Sequence, residues 1–154
     1  MSSETEHPME PISSLPFNTK WKYRPWSIQS PSVLAPGTTR TFFDLRKHGY
    51  LILGAVTMNN PNLTCHIELE TEQGLFTDEF TATQLILAGW TLPMNSGWFA
   101  SGVFPLVPSF TVTHSPSPWS PFTRRLRCDV ANRTVAPITI LAAMALTIEF
   151  EDQK

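Results

Sequence analysis

Histidine, cysteine and carboxylate do most of the chemistry in proteins, and in this chain they rarely come together. The four histidines are His7, His48, His66 and His114. Of these, His66 is the one read in a metal-ligand pattern, with Cys65 beside it and Glu68 two positions on. On an extended strand Cys65 and His66 point to opposite faces and cannot share a metal ion. His66 and Glu68 do share a face, which suits either two ligands of an incomplete site or a wet strand surface. Glu68, Glu70 and Glu72 repeat at spacing two. They read as oxygen ligands for calcium or as the solvated side of a strand.

Cys65 and Cys128 are the two cysteines, and no CxxC occurs, so a zinc site cannot be built from them. Both fall in the apolar phase of their segments, which predicts buried free thiols. A disulfide between them needs a geometry that spacing does not fix. No GxSxG, no P-loop and no glycine-rich phosphate cradle is present. The expectation is a non-enzyme without catalytic residues, metal or cofactor. The basic cluster is Arg124, Arg125 and Arg127. Arg125 and Arg127 face outward together and would suit an acidic partner surface or simply solvent. Trp90, Trp98 and Trp119 stand in loop-like stretches. They fit a subunit interface, a sugar-stacking platform, or core packing beneath long loops.

The segments that would position these residues are almost all strands. Arg40 to Leu45 reads as a short strand. Tyr50 to Met58 is apolar on both faces, the mark of a central strand covered on both sides. Asn59-Asn60-Pro61-Asn62 turns the chain. Leu63 to Glu70 alternates, with Leu63, Cys65, Ile67 and Leu69 on one face. Thr81 and Gln84 have capping-box spacing and Gly89 follows, which predicts a short helix over 82–88. Phe110 to His114 is a strand with His114 inward. Phe122, Leu126, Cys128 and Val130 form the inward face of another. Ile138 to Phe150 alternates throughout, with Met144, Leu146 and Ile148 inward. That run is too long to stay straight, and a bulge is expected near Ala142-Ala143. The class is therefore all-β: an antiparallel β-sandwich or jelly roll of seven to eight strands, with one short helix.

Residues 1–38 differ from the rest. They carry Pro8, Pro11, Pro16, Pro25, Pro31 and Pro36, without hydrophobic periodicity. Proline cannot donate to a ladder, so this stretch is expected to form neither regular sheet nor helix. Yet it holds Leu15, Phe17, Trp21, Tyr23 and Trp26, apolar side chains that a solvated linker lacks. The division is an extended N-terminal arm over 1–38 and a β-sandwich domain over 39–154. Those five arm residues are expected to bury against a neighbouring subunit. With 16% charged and 42% hydrophobic residues and a net charge of −2, nothing points to nucleic acid. The low charge points instead to an oligomer, a trimer being favoured. No signal peptide opens the chain, and its longest apolar run is too short to span a bilayer. Synthesis in a cytoplasm and no membrane association are expected.

The run FFDLRKHGYLILGAVTMNNPNLTCHIELE, then TATQLILAGW, then SPWSPFTRRLRCDVANRTVAPITIL, resembles small β-sandwich structural proteins of tailed phages and related viruses. The resemblance implies a virion location, with partners among capsid or other virion subunits. It extends to capsid decoration (cement) proteins, which often trimerise and lash neighbouring capsomers together with extended termini. A receptor- or sugar-binding module and a coat or tube subunit are the alternatives.

Overall fold

The structure is a computed structural model that describes residues 20–28, 32–93, 97–103 and 109–151. Its strands in chain order are β1 (Lys20–Ile28), β2 (Ser32–Leu34), β3 (Thr39–Leu45), β4 (His48–Met58), β5 (Thr64–Thr71) and β6 (Gly74–Thr81). The helix α1 (Ala82–Leu87) comes next. After it run β7 (Trp98–Val103), β8 (Ser109–His114), β9 (Ser120–Phe122), β10 (Arg125–Ala131) and β11 (Ile138–Glu151). The larger sheet has the order β1-β11-β4-β8-β7, with β2 also paired to β11 and β9 to β4. The smaller sheet has the order β3-β10-β5-β6. Every pairing is antiparallel. The chain is an all-β sandwich, as its alternation predicts.

The two sheets meet over a core that draws on both. Leu51, Met58, Leu63, Phe122, Leu126, Val130, Ile138 and Ile140 are almost fully enclosed. The helix begins as its sequence dictates: the Gln84 amide donates to the Thr81 hydroxyl at 3.1 Å, and the Thr81 amide donates to the Gln84 side chain at 2.9 Å. Gly89, at φ 81°, takes the left-handed conformation that ends it.

The described strands number eleven, against seven or eight expected. Three of the additions lie where proline or mixed composition hides a strand. β1 runs antiparallel to β11 from Lys20↔Glu151 to Ile28↔Ala143, and β2 pairs with the same strand. The expectation that prolines exclude regular structure from residues 1–38 therefore fails for 20–28 and 32–34. The reason is position. β1 is an edge strand, and Pro25, opposite Leu146, needs a ladder partner on one side only. Trp21, Tyr23 and Trp26 thus belong to a strand of the larger sheet, while Leu15 and Phe17 lie outside the described residues. β6 (GLFTDEFT) mixes apolar and polar residues on both faces and carries no period-two signal. It closes a hairpin on β5 through Glu72-Gln73, with Gly74 at φ 139°. Glu72 is therefore a turn residue and does not share a strand face with Glu68 and Glu70.

β11 has the bulge its length demands. The register slips between Ile140 and Ala142, leaving Leu141 as the extra residue, and slips again between Leu146 and Thr147. A one-residue slip exchanges the two faces of a strand. Ile138 and Ile140 face the core, but beyond the slip Ala143 and Ala145 do so, and Met144 is 49% exposed. The single inward face through Met144 and Leu146 that strict alternation predicts is thereby corrected. Ile148 is buried, as expected.

Candidate functional site

Strand register gathers the smallest side chains of the chain at one place between the sheets. In the larger sheet β4–β11 pairing sets Gly54 opposite Ala145 and Val56 opposite Ala143. On its other side β4 sets Gly54 opposite His114 of β8. The smaller sheet contributes Cys65 and Ile67 from β5 and Cys128 from β10. Glycine, alanine and cysteine leave the gap between the sheets unfilled, and a cavity of about 80 Å³ results. The gap is visible from a single atom. A Cβ built on Gly54 meets nothing within 4 Å.

One buried polar atom at this cavity lacks a hydrogen bond. His114 is 6% exposed, and its Nδ1 makes no hydrogen bond. Its ring lies against Trp98 with centroids 4.5 Å apart, and Trp98 Nε1 donates to Asp78 Oδ2 at 3.5 Å. Burial pushes the His114 pKa down to about 4, against the upward pull of the Asp78 carboxylate. The imidazole is therefore neutral at physiological pH. The unfolded chain takes up this proton near pH 6.5 and the folded chain only near pH 4, so stability is full above 6.5 and falls as pH drops between the two. By pH 5 the expected loss is about 2 kcal/mol. Urea melts at pH 7.5 and 5 would show it, and His114→Gln would remove most of the difference.

The two thiols behave as their phase predicts. Cys65 and Cys128 are buried and free. Burial pushes the Cys65 thiol up to about 12, and burial followed by the nearby Asp129 charge raises that of Cys128. Both stay protonated and unreactive at neutral pH.

The outer face of the smaller sheet carries a charge network. Arg125 grips Asp44 with two bonds, Nε to Oδ1 at 2.7 Å and a terminal nitrogen to Oδ2 at 2.6 Å. That bond holds the Asp44 carboxyl below its ordinary value. Arg127 pairs with Asp129 at 2.8 Å, and Arg133 with Glu79 at 2.7 Å. His66 lies between Glu68, at 3.0 Å, and Glu79, at 3.3 Å. Arg125 and Arg127 do face outward, but carboxylates of their own chain already occupy them, and no acidic partner is needed to neutralise them. Among the described residues no group of three or more His, Cys, Asp or Glu is arranged to hold a metal ion.

The tryptophans do not form a shared surface. Trp98 is only 3% exposed because it falls in the inward phase of β7. Trp90 packs on the core and on Phe80, whose ring centroid is 6.0 Å away. Trp119 stacks edge-on against Tyr50 at 6.2 Å. The loop-borne platform that three such residues suggest in sequence is thus taken apart, chiefly by the burial of Trp98. What the surface offers instead is a different apolar set. Leu75 and Phe76 are 58% and 55% exposed on the edge strand β6, and Leu87, the last residue of α1, and Leu92 beyond it are exposed too.

No protein-family model matches the chain. No curated protein matches it either. Among solved structures, one described as "Structure of infectious bursal disease virus Gx strain" aligns with 85% of this chain at 10% identity and a TM-score of 0.24. The alignment spans 40% of that chain's length. A likeness at that score carries no argument about fold or function.

The cavity and its histidine escape sequence reasoning. Their signal is the pair of small-residue runs, Gly54-Ala55 and Ala142-Ala143 with Ala145, which become one site only through strand register.

Proposed function

We propose that the chain is a non-enzymatic structural subunit of a virion, of the capsid decoration (cement) kind, which binds neighbouring capsid subunits. The observation that carries this is the exposed apolar surface of a charge-poor domain. Leu75 and Phe76 lie on an open sheet edge, where unpaired backbone groups and apolar side chains both invite a protein partner. The virion assignment rests on the resemblance of the quoted segments to β-sandwich virion proteins. Self-association, with a trimer favoured, belongs to the same reading. So does a tethering role for the N-terminal arm over residues 1–38, of which 20–28 and 32–34 also pair with β11.

Two measurements test the proposal. Light scattering on the full chain should give a multiple of 17.3 kDa, and the double variant Leu75→Asp with Phe76→Asp should lower that mass. Mass spectrometry of purified virus particles from the chain's source should recover it in stoichiometric amount. A full-length monomer that is also missing from particles would sink the reading.

A further inference from the structure

We propose that the inter-sheet cavity is a binding site for a small, neutral, branched aliphatic molecule carrying a single hydroxyl, which hydrogen-bonds to His114. Three observations converge on it. The cavity is about 80 Å³, too large to be ordinary packing slack. The Gly54 position opens onto empty space. His114 lines the cavity with an Nδ1 that lacks a partner, in a residue more than nine-tenths buried.

The walls set the class of ligand. Gly54, Ala143 and Ala145 on one side and Cys65 and Cys128 on the other offer hydrocarbon and protonated thiol. An ion would lose its hydration there with no free counter-charge to meet it, since Asp129 at the rim is already gripped by Arg127. A neutral molecule with a hydroxyl satisfies the one orphaned nitrogen and otherwise meets mainly apolar surface, since the other polar side chains of the lining, His66 and Asp129, are already bonded to Glu68 and Arg127. Size narrows the class further. A void of ~150 Å³ admits benzene, so this one suits roughly four to five non-hydrogen atoms.

The test compares isobutanol with its isostere isopentane on the full-length protein, read by NMR. Isobutanol should shift the Val112 and Ile67 amides and the His114 ring saturably. It should bind roughly fivefold or more tightly than isopentane, the margin set by one hydrogen bond. His114→Phe should abolish that preference. Gly54→Val should fill the void, weaken isobutanol binding at least about tenfold and raise Tm by a few degrees. Should Gly54→Val fail to fold, Ala145→Val is read in the same way. No saturable shift with either probe, equal affinity for the two in the natural chain, or undiminished binding in a folded filled variant would each overturn the proposal. None of these outcomes depends on whether the chain is found in virus particles.

Discussion

Gly49→Ala is expected to leave the protein unable to fold. Gly49 lies in β4, opposite Glu149 of β11 on one side and Phe122 of β9 on the other. A Cβ at this position would overlap the main-chain carbonyl oxygen of Ile148 and crowd the carbon beside it. Both obstacles are backbone, so no rotamer change relieves them. The β4–β11 ladder, the longest in the larger sheet, would have to part at its end. The cost should exceed about 4 kcal/mol, in the range where a marginally stable domain unfolds. Circular dichroism and urea titration of the purified variant would check it. A cooperative transition within about 1 kcal/mol of the natural chain would mean that the two strands are not in this register.

Asn132→Ala should be the most damaging single loss of a polar side chain. Asn132 is fully enclosed at the turn between β10 and β11. Its amide nitrogen donates to the carbonyls of Leu34, at 2.9 Å, and Ala136, at 2.8 Å. Its oxygen accepts from the Thr134 amide at 3.0 Å and the Thr134 hydroxyl at 2.7 Å. The Asn132 backbone extends the junction, accepting from Gly37 at 2.7 Å and donating to Thr38 at 2.9 Å. Alanine would strand buried donors and acceptors on both sides of the turn. At roughly 1 kcal/mol for each of the four side-chain bonds the loss is about 4 kcal/mol. Asn132→Asp should also be damaging, because it replaces a double donor with a buried charge. Equilibrium melts of both variants decide the matter, and a loss under about 1 kcal/mol for alanine would show the network to be redundant.

How much of this was legible depends on whether the cause is local. The helix is legible because Thr81 and Gln84 cap it across three residues. β10 is legible because Leu126, Cys128 and Val130 alternate without interruption. β1 is not, because Pro25 and the surrounding aromatics make sense only once β11 supplies a partner far away in sequence. β11 is legible in extent and in its bulge, but not in phase beyond Leu141, since the extra residue exchanges the faces without marking its own place. The burial of Trp98, whose ring centroid is 5.1 Å from that of Phe80 on β6, and the salt-bridging of Arg125 to Asp44 follow from neighbours on other strands that no spacing rule connects. The cavity is the extreme case. It exists because Gly54 and Ala145 meet across a register fixed by the whole ladder.

β11 also sets the order of events when the chain is made. It is the partner of β1, β2 and β4, so three early strands depend on the latest one to emerge from the ribosome. Ile28 waits for Ala143, on the order of a hundred residues later, and contacts so distant slow the folding search. The smaller sheet depends on no part of β11 and is complete once β10 has emerged. The nascent protein therefore passes through a stage in which one sheet is assembled while the edges of β4 and β1 that β11 will cover stand open. Such edges pair readily with the wrong neighbour, so expression at low temperature or with a holding chaperone should raise the soluble yield.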